Sequence, residues 1–175
     1  MTGGGLGSGS LNGLIAQIAP ELLSGNPKLS IALIAGQQHQ AETEKLFSTM
    51  PEAQDRVRVI GFTPDFYRFS GAADLILCRA GASTLAEFAI QHKACVVIPA
   101  GQLAGGHQLA NIKQLQTAGA AKVLKDPSPE NVLTAINDLL QNDRGRQTLG
   151  DKLGSLAKPN AAKDLANLIL DKVAA

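Results

Sequence analysis

Thr2-Gly3-Gly4-Gly5-Leu6-Gly7-Ser8-Gly9-Ser10-Leu11-Asn12 opens the chain as a glycine-rich loop, and Leu11, Leu14, Ile15, Ile18 and Leu22 follow at helical spacing. A loop of this kind, leading into an amphipathic helix, normally hangs from a β-strand in an α/β nucleotide-binding unit. Glycine tolerates positive φ and lets backbone N–H groups approach an anion at the positive end of the helix. The stretch therefore reads as a phosphate-binding loop; a flexible linker would need no apolar stripe behind it. Only Met1 and Thr2 precede the glycines, so the expectation is half of a larger arrangement, its first strand incomplete.

Outward from that loop, short apolar runs alternate with amphipathic stretches. The runs at 29–35, 56–60, 74–78, 94–99 and 120–124 are bounded by Gly, Pro or polar residues, as buried parallel strands are. Helical patterns are predicted at about 10–22, 39–49, 64–71, 83–91, 106–118, 129–141, 143–153 and 160–173. This rhythm predicts a Rossmann-like, three-layer α/β/α fold with a mostly parallel sheet, to which the missing strand would add a sixth. The last two helices follow no strand and are free to pack on another domain. With 175 residues and 45% hydrophobic content the chain supports one core.

Composition also removes classes of function. Sixteen basic against fifteen acidic residues, without a run of like sign, leave no nucleic-acid footprint and no polybasic membrane patch. Aromatics at 3%, with no Trp, offer no stacking platform for single strands. Cys78 and Cys95 lie in apolar runs and read as reduced core residues rather than metal ligands. No apolar stretch reaches the ~18 residues that spanning a bilayer requires, and the expected compartment is the cytoplasm.

Two further clusters fall just after strands, on the edge of an open α/β sheet where ligands sit. In Cys78-Arg79-Ala80-Gly81-Ala82-Ser83-Thr84-Leu85-Ala86-Glu87, small residues expose backbone donors and two hydroxyls at a helix start, a second diphosphate-binding turn; Glu87 stands one turn further, able to accept from ribose hydroxyls. Thr84-Leu85-Ala86-Glu87 equally fits a capping box. In Gly105-Gly106-His107-Gln108-Leu109-Ala110-Asn111, His107 and Asn111 share a helix face, and with Gln108 they suit sugar hydroxyls. A dinucleotide fingerprint is not met: the sixth position is Ser8 counting from Gly3 and Ser10 counting from Gly5. No Gly-Lys-Ser/Thr follows the glycines either. His39 and His92 sit among polar residues and read as solvated, and no general base emerges, so no catalytic residue is assigned.

Together with Gly61-Phe62-Thr63…Asp65 and Ala118-Gly119-Ala120-Ala121, these clusters resemble the C-terminal, donor-binding half of the MurG family, the UDP-N-acetylglucosamine:undecaprenyl-pyrophosphoryl-muramoylpentapeptide transferases of peptidoglycan synthesis. The resemblance covers nearly the whole chain. It implies a single domain over residues 1–175, one half of a GT-B glycosyltransferase with the N-terminal acceptor domain absent. It also implies that Gly4, Gly5, Leu6 and Gly7 close a UDP-N-acetylglucosamine cleft from one side and that Gly81, Ala82, Ser83 and Thr84 line the diphosphate. Thr63 would meet uracil through its backbone, Glu87 would hold the ribose, and His107, Gln108 and Asn111 would face the sugar. No metal or other cofactor is implied. The family's acceptor site, proposed base and membrane-contacting surface belong to the absent half, so the resemblance implies inverting transfer to a lipid-linked acceptor only with that domain or a separate membrane-associated subunit. Gly5 stands where the family usually has Ser, and residues 100–106 lack its acidic and aromatic residues. The alternative is a stand-alone nucleotide-sugar-binding module, or a subunit of a two-component glycosyltransferase inactive alone.

Overall fold

The computed structural model describes residues 1–4, 7–100 and 106–173, the side chains of residues 106–109 excepted. Strands β1 (Ile31–Ile34), β2 (Val57–Ile60), β3 (Ile76–Cys78), β4 (Cys95–Val97) and β5 (Lys122–Val123) alternate with helices α1 (Gly9–Gly25), α2 (Gln40–Ser48), α3 (Phe66–Ala72), α4 (Ala82–Ile90), α5 (Gly106–Ala118) and α6 (Pro129–Leu140); α7 (Asp143–Gly154) and α8 (Ala161–Val173) close the chain. All strand pairs are parallel, β1 with β2 from Ile31 opposite Val57, β3 with β4 from Ile76 opposite Cys95, and β4 with β5 from Val96 opposite Lys122.

The two ribbons meet at the amino terminus. Thr2 bridges in parallel to both Ile34 and Cys78, with Thr2 N–H donating to the Leu77 carbonyl at 2.9 Å and Ile34 N–H to the Met1 carbonyl at 2.9 Å. The spatial order is therefore β2, β1, the Met1–Thr2 segment, β3, β4, β5. This is the doubly wound arrangement expected, with the topological switch at the amino-terminal segment. The opening loop leaves the sheet at that switch.

Each face of the sheet carries its own core, as strands buried on both sides require. On one, Leu33, Leu77, Val96 and Ile98 meet Leu11, Ile15, Ile18 and Leu22 of α1 and Val132 and Ile136 of α6. On the other, Ile76, Cys78, Cys95 and Val97 meet Leu85 and Phe88 of α4, Ile112 and Leu115 of α5 and Leu153 of α7. Both cysteines are free and buried; a hydrogen bond with Cys78 and burial push the Cys95 thiol well above its ordinary value.

Two local expectations change. Helix α1 continues past Pro20 to Gly25, because Leu22 and Leu23 are fully buried and their packing outweighs the backbone bond that proline removes. Helix α7 docks on this domain: Leu153 is buried in the second core, and Gly150 and Gly154 lie so close to His92 that a Cβ on either would overlap it. His92 adopts φ 53° in the turn after α4, with Nδ1 3.7 Å from an Asp151 carboxylate oxygen; its backbone meets α7 while its side chain stays 59% exposed, as the solvated reading expects. Helix α8, in contrast, buries no residue.

Candidate functional site

The opening loop turns sharply. Gly4 and Gly7 have φ 90° and 75°, and Gly7 N–H closes the turn on the Gly4 carbonyl at 3.0 Å. A Cβ on Gly7 would overlap the Ala35 carbonyl, so glycine is required by both conformation and space. Ser8 then caps α1, its Oγ accepting from Leu11 N–H. Asn12, fully buried one turn in, donates through Nδ2 to the Ala35 carbonyl at 2.9 Å and to Thr43 Oγ1 at 3.3 Å. The loop and its helix are thereby fixed to the carboxyl end of β1.

Opposite stands the start of α4. The helix begins at Ala82, its N-cap is Gly81, and no side chain caps it. The capping-box reading of Thr84 and Glu87 is thus set aside: Thr84 lies inside the first turn, Leu85 N–H bonds the Gly81 carbonyl, and Glu87 is an exposed residue of the helix body. An uncapped N-terminus with no acidic residue in its first turn leaves its leading N–H groups and dipole for an anion.

Arg79 joins the two sides. Its Nη1 donates to the Pro99 carbonyl at 2.7 Å, and its Nη2 to Ser8 Oγ at 3.2 Å and Ser10 Oγ at 2.9 Å. Burial lowers the guanidinium from its ordinary value. Asn111 of α5 donates through Nδ2 to the Ala80 carbonyl at 3.0 Å, so this amide braces the turn that carries Arg79. Gly3, Gly4, Gly7, Ser8, Ser10, Arg79, Gly81, Thr84 and Ala100 line a cleft of about 330 Å³. One arginine and two helix N-termini bear on it, and no carboxylate is among these lining residues: an anion site by charge.

Of the residues singled out in the sequence, Gly4, Gly7, Gly81 and Thr84 line this cleft. Ala82, Ser83 and Glu87 follow along α4, the first two exposed in its opening turn. Thr63 lies past the carboxyl end of β2, its Oγ1 accepting from Asp65 N–H at 3.1 Å, beside Phe62, which is 67% exposed. Gly5 and Leu6 lie outside the described residues, as do the side chains of His107 and Gln108, whose backbone belongs to the first turn of α5. Gly3, Ser8, Ser10, Arg79 and Ala100 line the cleft without having been assigned to it from the sequence; for Arg79 the available signal was a cation immediately after β3, at the edge where anionic ligands enter.

The sequence profile of the Glycosyltransferase family 28 C-terminal domain matches residues 1–168. The chain is 30% identical over 180 residues to the UDP-N-acetylglucosamine--N-acetylmuramyl-(pentapeptide) pyrophosphoryl-undecaprenol N-acetylglucosamine transferase of Anaeromyxobacter dehalogenans (strain 2CP-C), matching 98% of this chain and 44% of that protein. It is 34% identical over 171 residues to the transferase of the same description from Acinetobacter baumannii (strain AYE), with 97% and 46% covered. Among solved structures, Acinetobacter baumannii MurG superposes with a TM-score of 0.79 at 31% identity, over 97% of this chain and 48% of that one. The chain spans less than half the length of these relatives, and its three-layer fold is that of the C-terminal half of a GT-B glycosyltransferase. It belongs to the glycosyltransferase family 28 C-terminal domain family.

Proposed function

We propose that this domain binds UDP-N-acetylglucosamine as the donor half of an inverting N-acetylglucosaminyltransferase whose acceptor is a lipid-linked sugar, as in peptidoglycan precursor synthesis. The observation that carries the reading is the cleft in which Arg79 ties the opening loop to the turn before α4, with two helix N-termini bearing on one anion-sized space. A diphosphate placed there meets backbone donors and a fixed cation. Uracil and ribose extend toward Thr63 and Glu87, and the sugar toward the first turn of α5. In transfer, an acceptor hydroxyl attacks the anomeric carbon as the bond to the diphosphate oxygen breaks. Charge developing on the leaving UDP is held by the α4 N–H groups and Arg79. The hydroxyl proton passes to a base of the acceptor half, and no metal takes part.

The relatives' names supply the substrate class, and the exposed face of α8, with Leu165, Leu168 and Ile169, offers a surface for the acceptor half. Titration calorimetry with UDP-N-acetylglucosamine, UDP-glucose, UDP and NAD tests the reading. Saturable binding that prefers the acetylated sugar and survives a chelator is expected, and a folded sample that binds no UDP would sink it. Adding the acceptor half of a relative is expected to bring transfer to a lipid-linked acceptor; binding without transfer in any combination would favour a nucleotide-sugar-binding module.

A further inference from the structure

Ser8 and Ser10, at the start of α1, close a triangle with Arg79. The guanidinium Nη2 stands 3.2 Å from Ser8 Oγ and 2.9 Å from Ser10 Oγ, and the two hydroxyl oxygens are 3.2 Å apart. The lone pairs fix the order of protons in it, because a hydroxyl has one O–H to give and two lone pairs to receive with. Both lone pairs of Ser8 Oγ are spent, one on Leu11 N–H at 3.3 Å and one on Arg79. The contact between the serines therefore runs from Ser8 O–H to Ser10 Oγ. Ser10 Oγ then receives two hydrogen bonds, from Arg79 and from Ser8, and its own O–H has no acceptor among the described residues. Ser10 is exposed and lines the cleft with Gly81 and Thr84, so that proton is available to a ligand between the two helix ends.

We propose that Ser10 is an anion-contacting residue of the cleft, its O–H donating to a phosphate oxygen of the diphosphate while Arg79 and Ser8 hold its own oxygen from behind. The inference rests on the donor-binding reading of the cleft and adds a side-chain hydroxyl to the backbone donors and the cation already described. Two donors converging on one oxygen polarise its O–H, in a chain that begins at a guanidinium and ends at the ligand. A hydroxyl that donates to an ionised oxygen makes a short, charge-assisted bond. Arg79 thus acts on the ligand through Ser10 as well as by its own field. The arrangement favours a ligand atom that only accepts, as a phosphate oxygen does; a sugar hydroxyl in that place brings no charge to complete the chain. Ser8 has a different duty, since its hydroxyl is spent entirely within the protein, on the α1 cap, on Arg79 and on Ser10.

The full chain and its Ser10→Ala and Ser10→Thr variants are titrated with inorganic pyrophosphate and with UDP. Ser10→Ala is expected to weaken both ligands by the same factor, about tenfold or more, at an unlowered Tm, since alanine suits an exposed place in the first turn of a helix. Ser10→Thr, which restores the hydroxyl, is expected to bind like the unaltered chain. Making Ser10→Ala on top of Arg79→Lys separates contact from alignment: losing a direct donor still costs affinity, whereas losing a residue that only aligns the fork costs nothing more once the fork is gone. Unchanged pyrophosphate binding by Ser10→Ala, no rescue by Ser10→Thr, or a loss that vanishes in the Arg79→Lys background would overturn the proposal. A chain that binds pyrophosphate and no UDP ends the donor-half reading and leaves the Ser10 comparison to be decided on pyrophosphate; a folded chain that binds neither ends both.

Discussion

At the scale of single residues, the chemistry of the cleft concentrates in a few groups with unequal duties. Arg79 spends three hydrogen bonds on Pro99, Ser8 and Ser10, so Arg79→Lys, which keeps the charge and loses the fork, is expected to weaken UDP-sugar binding by roughly tenfold or more, about 1–3 kcal/mol. Glu87, an exposed residue beyond the first turn of α4, is expected to cost a similar amount of affinity on Glu87→Ala, with thermal unfolding unchanged. Unaltered calorimetric affinity in that folded variant would remove Glu87 from the ribose site. Gly7 answers to a different constraint. With φ 75° and the Ala35 carbonyl in the way of a Cβ, Gly7→Ala is expected to destabilise the fold by about 2–4 kcal/mol in a denaturant titration.

Among the elements, helices α1 and α8 make opposite use of apolar residues. Of those in α1, Leu11, Ile15, Ile18, Leu22 and Leu23 are buried, whereas Leu165, Leu168, Ile169 and Val173 of α8 stand more than half exposed on a helix with no buried residue. Changing Leu165, Leu168 and Ile169 together to Gln is therefore expected to shift unfolding by less than about 0.5 kcal/mol per site in a denaturant titration; the same change in α1 would unfold the domain. The strand and helix alternation was legible from sequence because buried parallel strands are short apolar runs and their helices carry a 3.6-residue stripe. So was the loop before α1, since Gly4 and Gly7 are needed for its positive φ. The start of α4 was not legible as a cap. Thr84 and Glu87 satisfy a local pattern, yet the chain leaving β3 is held by Asn111 on Ala80 and by Arg79, contacts between residues far apart in sequence that no window reveals. The docking of α7 on His92 was hidden for the same reason, and α8 carries an amphipathic pattern indistinguishable from that of a helix with a partner in its own domain.

For the molecule as a whole, the Met1–Thr2 segment is what joins the two ribbons of the sheet. In the chain as it stands, burial lowers the Met1 amine from 8.0 to about 6, against a smaller opposing effect of Cys78. Between those values the unfolded chain binds the proton and the folded chain does not, so stability rises with pH from about 6 to 8 and is lost as pH falls through the same window. A difference of about 2 kcal/mol is expected across it, measured by denaturant unfolding at pH 6 and 8, and acetylation of Met1 should flatten that segment of the profile. The cleft stands over the same junction, with α1 rising from the β1 side and α4 from the β3 side. An anion held between those helix ends is a strap across the two ribbons: by mass action, every tenfold excess of ligand over its dissociation constant adds about 1.4 kcal/mol against their separation. Occupancy of the cleft and integrity of the sheet are then one equilibrium, and an anion bound there is as much a structural member of the domain as a ligand of it.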